Sequence, residues 1–87
     1  MEQKKPSLKF NNTGDAYKDF YNFLRENKNK KFTFIDLRTL SGYSESQTKT
    51  ELRNLVIRRL IVKGKEDVFS MRYIYYNDDK CEKFDDE

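Results

Sequence analysis

Two helix-start signals flank a glycine, and this arrangement constrains the chain more than any other feature. Thr33 is followed three residues later by Asp36, and Ser44 three residues later by Gln47. A hydroxyl at such a position accepts from the unpaired backbone N–H groups of a helix start, and a side chain three residues on can reach back. Asp36 also sits at the positive end of its helix dipole. Phe34, Leu37 and Leu40 then recur at helical spacing, and Gly42 enters the left-handed conformation without steric cost. The spacing predicts a short helix over 34–41, a turn Ser41-Gly42-Tyr43-Ser44 and a second helix over 44–58. In that second helix Thr48, Leu52, Leu55 and Val56 share one face. Ser46, Thr50, Arg53, Asn54 and Ile57 project from the other, flanked by Gln47, Lys49 and Arg58. One side packs and the other is presented.

The rest of the chain fits around this pair. Residues 1–12 contain Pro6 and no sustained period, so a flexible arm is expected, pinned at its end by Leu8 and Phe10. Thr13, Gly14 and Asp15 offer capping groups, and Ala16, Tyr17, Phe20, Tyr21, Phe23 and Leu24 make a wide apolar stripe on a helix ending near Asn27. A basic loop covers 28–31. After Arg59 the run Leu60-Ile61-Val62 reads as a strand, Lys63-Gly64-Lys65-Glu66-Asp67 as a turn, and 68–76 as a second strand. Residues 77–87 read as an acidic, disordered tail. The fold class is therefore α+β, with one domain over 13–76 made of three helices followed by a β-hairpin over 60–76.

Charge and chemistry narrow the function. Residues 1–76 carry 16 Lys or Arg against 9 Asp or Glu, a surplus of +7, while 77–87 carry 2 against 6, a deficit of −4. A basic body steers polyanions toward itself, so nucleic acid is the first partner to weigh. The acidic tail could fold back over that basic face as a tethered competitor. The sequence has no histidine and one cysteine, Cys81, which removes the commonest general base, the commonest zinc ligand and any intrachain disulfide. Neither an enzyme nor a metal or other cofactor is expected, and no small-molecule substrate. No run approaches the roughly 20 apolar residues of a membrane span, and residues 1–12 lack the apolar centre of a secretory signal. A cytoplasmic protein without a membrane partner is expected.

Two capped helices joined by a short turn, with one helix before and a hairpin after, resemble the winged helix-turn-helix superfamily. The likeness spans about 14–76 and rests on Phe32-Thr33-Phe34-Ile35-Asp36-Leu37, on Ser41-Gly42-Tyr43-Ser44-Glu45-Ser46-Gln47, and on Leu52, Leu55 and the pair Leu60-Ile61. It is similar to the pattern of bacterial regulators. Gly42-Tyr43-Ser44-Glu45-Ser46-Gln47 with Tyr73-Ile74-Tyr75 is also similar to winged-helix modules of mobile-element replication proteins and primases. One position departs: Arg59 stands where the superfamily often has glycine before the wing. The resemblance implies duplex DNA binding in transcription regulation or replication, with 44–58 as the recognition helix and a basic wing. Ser46, Gln47, Thr50, Arg53 and Asn54 would then read bases, and Ser44, Lys49, Arg58, Lys63 and Lys65 would hold phosphates. Glu45 is the awkward member, good for the helix dipole and bad for a phosphate. A short reading helix spans few base pairs, so a homodimer or a larger replication or regulatory complex is expected with the DNA. Two further readings remain open. One is a protein-interaction adaptor using Ile57 with Phe69, Tyr73, Tyr75 and Tyr76, and the other is single-stranded DNA binding by stacking on tyrosines.

Overall fold

Each helix begins on a side chain that accepts from its own first turn. In the computed structural model, which describes residues 9–65 and 72–83, helix α1 covers Ala16–Glu26, α2 Phe34–Ser41 and α3 Glu45–Ile57. Asp15 caps α1 by accepting from the Lys18 N–H at 3.3 Å. At α2 the box closes both ways, with the Asp36 N–H donating to Thr33 Oγ1 and the Thr33 N–H to Asp36 Oδ2, each at 3.1 Å. At α3 it is half formed: Ser44 Oγ accepts from the Gln47 N–H at 3.1 Å, without a return bond from the Gln47 side chain. Gly42 ends α2 at φ 78°, as its lack of a Cβ allows.

Three short strands complete an α+β fold. Strand β1 is Phe32–Thr33, β2 Val62–Lys65 and β3 Tyr73–Tyr76, in the antiparallel order β1-β3-β2. The register sets Lys63 opposite Tyr75 and Lys65 opposite Tyr73, while Phe32 pairs with Tyr75 on the other side of β3. Sequence periodicity misses β1, because two residues between a loop and a helix have no period to show. It also misplaces the turn. Lys63, Gly64 and Lys65 are strand residues, whereas Leu60 and Ile61 precede the strand and are buried in the core. Glu66, Asp67 and the first part of the expected second strand, with Phe69, lie outside the described residues.

The core lies between α1 and α3. Phe20, Leu24, Leu37, Leu52 and Leu55 are all almost fully enclosed, and Thr48 joins them from the inner face of α3. Phe10 packs on Phe20 and Phe23 at ring-centroid distances of 5.3 and 5.1 Å, so residue 10 belongs to the domain; Leu8 lies outside the described residues. No helix among the described residues is long and apolar enough to cross a membrane.

The exit from α3 explains how Arg59 can stand where glycine is common. Arg59 takes φ 64°, its N–H donates to the Val56 carbonyl at 2.9 Å, and the Leu60 N–H donates back to the Leu55 carbonyl at 3.0 Å. This pair of bonds is the Schellman closure, which needs a left-handed residue at the position of Arg59. The chain beyond β3 secures the same exit. Asn77 is buried and its side-chain amide donates to the Leu60 carbonyl at 2.9 Å, and the Glu82 N–H donates to the Arg59 carbonyl at 2.8 Å. Residues 77–83 are thus ordered against the domain rather than forming the first part of a disordered tail. Their polar composition hid this, since the bonds that hold them are to backbone groups no pattern reveals.

Truncating Leu55 to alanine should lower the unfolding free energy by about 2–5 kcal/mol, the range for a buried leucine. Arg59→Gly should raise it by about 0.5–1 kcal/mol, because a left-handed residue with a Cβ is strained, and Arg59→Val should lower it. Urea denaturation followed by circular dichroism measures all three. A lower midpoint for Arg59→Gly would show that the strain at this exit is not what limits it.

Candidate nucleic-acid interface

The outward face of α3 is set by what its inward face buries. With Thr48, Leu52 and Leu55 turned into the core, successive 100° steps put Ser46, Thr50 and Asn54 on the far side. All five expected base-reading residues, Ser46, Gln47, Thr50, Arg53 and Asn54, are exposed. So are Ser44, Lys49, Arg58, Lys63 and Lys65.

These ten residues do not form one patch. Lys49, Arg53 and Lys63 gather along a groove of about 670 Å³ between α2, α3 and the sheet. Arg58 lies on the opposite flank of α3, its guanidinium 6.0 Å from the centre of the Tyr17 ring on α1. By the same 100° steps Gln47 also falls on that flank. Ser44 already spends an oxygen lone pair on its helix cap, leaving its hydroxyl proton for a ligand. The Lys63 ammonium stands 4.4 Å from the centre of the Tyr73 ring, a cation–π contact that holds it at the groove edge. Glu45 has a partner in Arg38 at 3.5 Å, which tempers its repulsion of an approaching anion.

Parts of the groove wall are invisible in the sequence. Ile35 and Arg72 line the groove from α2 and from the residue before β3. Tyr73 and Lys63 meet there because of the strand register, and a sequence that leaves the loop length open cannot give that register. Of the acidic segment, the described residues 77–83 do not line this groove, and 84–87 lie outside the described residues. Asp79 instead pairs with Lys28 at 2.7 Å, beside the exit of α1.

A buried carboxylate fixes the turn between α2 and α3. Asp19 on α1 accepts from the Thr13 N–H at 2.7 Å, the Thr13 hydroxyl at 2.6 Å and the Tyr43 hydroxyl at 2.5 Å. Tyr43 belongs to the turn and also accepts from the Gly14 N–H at 3.1 Å. Burial opposes ionisation of Asp19, but the bonds from Thr13 and Tyr43 outweigh it and hold the carboxyl below its ordinary range. Burial and the Asp19 charge push the Tyr43 phenol up. Away from this site, burial raises the half-buried Cys81 thiol; the Asp78 backbone N–H opposes the shift and the Asp78 carboxylate adds to it, so the thiol is a poor nucleophile.

No family model, curated protein or solved structure matches the chain.

Because the folded-state pKa of Asp19 is depressed, its contribution is fully present above the unfolded value of about 4 and is lost as pH falls through the folded value. Asp19→Asn should therefore cost about 1–3 kcal/mol at pH 7, and the deficit should narrow below about pH 4. Melting wild type and variant between pH 7 and 3 checks this; parallel curves would mean that Asp19 does not carry the linkage.

Proposed function

We propose that this domain is a winged helix-turn-helix that binds duplex DNA, with α3 as the reading helix and β2–β3 as the wing. The observation that carries the reading is the outward face of α3. Opposite the buried seam, Ser46, Thr50 and Asn54 stand exposed, with the exposed Arg53, Lys49 and Lys63 toward the sheet. A helix enters the major groove, where Asn and Gln suit adenine, Arg suits guanine, and lysines beside the groove suit phosphates. The order of three helices and a sheet of three antiparallel strands is compatible with the superfamily, and the surplus of positive charge on residues 1–76 favours a polyanion.

Duplex DNA is favoured over a single strand because the tyrosines are poorly placed for serial stacking. Tyr75 is buried, and Tyr73 is engaged by Lys63. Binding is favoured over catalysis by the lack of histidine and by the phenols of Tyr43 and Tyr75, which are pushed away from ionisation. The role is that of a regulator or of a replication module of a mobile element in the cytoplasm. Target discrimination comes from a homodimer or a larger complex, since one α3 helix reads only a few base pairs.

Arg53→Ala and Asn54→Ala should each cost about 1–3 kcal/mol on a selected site and less on random duplex. Lys63→Ala and Lys65→Ala should weaken every sequence alike and reduce the slope of log affinity against log salt by about one per lost contact. Mobility shifts on selected and random duplexes across a salt series measure both. Wing variants that alter site preference while α3 variants do not would make the hairpin the reading element.

A further inference from the structure

The large apolar side chains that stand exposed among the described residues are Ile35, Ile57 and Tyr73, at 61%, 69% and 43% of full exposure. They come from α2, α3 and β3, far apart in sequence, yet all three line the groove between those elements. Single exposed apolar residues are ordinary, but convergence on one concavity marks a binding surface. Phe34 and Val56, both half-buried, continue that apolar surface into the core.

The charge of the rim says what kind of partner fits. Lys49, Arg53 and Lys63 line the groove against one described acid, Glu45, which already faces Arg38. A second copy docked through the same face would set these cations against each other. Duplex phosphates would answer the cations but leave the isoleucines without an apolar counterpart. A helix with an apolar stripe and acidic flanks satisfies both, in the helix-in-groove mode.

We propose that the groove between α2, α3 and the β2–β3 strands docks an acidic amphipathic helical segment of a partner protein, and that this segment and duplex DNA exclude one another. Docking stands independently of the DNA reading; only the exclusion rests on it. Arg53, Lys49 and Lys63 serve both ligands, so occupancy by one removes the contacts of the other. Ile35 serves the peptide alone, since it lies on α2, away from the reading helix, and carries no polar group for a phosphate.

The probe is a fluorescein-labelled peptide of about 15 residues, long enough for helix to begin to hold, with Leu and Phe at i, i+3, i+4 and i+7 and Glu or Asp elsewhere. A matched peptide carries Lys in place of the acids. Anisotropy should show saturable binding of the acidic peptide and little of the basic one. In methyl NMR the Ile35 and Ile57 δ1 signals should shift together. Ile35→Ala should weaken the acidic peptide about tenfold, the scale of a central apolar anchor, while its melting temperature and duplex affinity stay at wild-type values. Arg53→Ala should weaken peptide and duplex together. Docking is overturned if the acidic peptide does not saturate, if the basic peptide binds as tightly, or if Ile35→Ala binds the acidic peptide as wild type does. Exclusion is overturned if saturating peptide leaves the duplex bound. Peptide binding with these signatures and no duplex binding would support docking and defeat the DNA reading by itself.

Discussion

The apolar seam between α1 and α3 is the constraint from which the rest follows. Leu52 and Leu55 are enclosed with Phe20 and Leu24, and Thr48 completes the inner stripe. A helix has one rotation that buries such a stripe, so the same contacts that supply stability also choose which residues face solvent. Ser46, Thr50 and Asn54 are outside because Thr48, Leu52 and Leu55 are inside. Asp19 then fixes the other degree of freedom. By holding Tyr43 from the body of α1, it ties the turn before α3 to the helix on which α3 packs. Orientation about the helix axis is apolar in origin, and the anchoring of the helix start is polar.

Much of this arrangement was legible in the sequence, for physical reasons that differ by element. The bounds of α2 follow from Thr33, Asp36 and Gly42, because caps are local and their chemistry lies within a few residues. The aromatic stripe of α1 follows from its period. The carboxylate of Asp19 does not, since an aspartate on a polar-looking turn of helix gives no sign that Thr13 and Tyr43 will enclose it. Nor does β1, whose existence depends on Phe32 finding Tyr75 across 43 positions of chain. Residues 77–83 escaped for the same reason: Asn77 and Glu82 bind the carbonyls of Leu60 and Arg59 just past α3, which only the folded chain brings near. Of the candidate site, the exposed residues of α3 were readable, and their division between a groove flank and an α1 flank was not.

The groove beside α3 places apolar and cationic surface together, and the two have different physical consequences. Cations at its rim act at range and weaken with salt, whereas Ile35 and Ile57 act only on contact and are indifferent to ionic strength. An anionic ligand without apolar surface can use half of what the groove offers. Lys63 illustrates the coupling, because the ring of Tyr73 that holds its ammonium is also part of the apolar wall. The basic face and the acidic segment 77–83 are meanwhile kept apart in the fold, with Asp79 turned to Lys28. The described part of that segment reinforces the α3 exit instead of shielding the face.

The most direct measurement is a titration of the isotope-labelled protein with a short duplex, followed by backbone amide NMR at low and moderate salt. Binding through α3 and the hairpin should shift the amides of Ser46, Thr50, Arg53, Asn54, Lys63 and Lys65, with shifts at a given DNA concentration shrinking as salt rises. The amides of Lys28, Asn77, Asp79 and Glu82 should stay in place. Shifts concentrated on that second group, or none anywhere at low salt, would contradict DNA binding by the face that the seam presents.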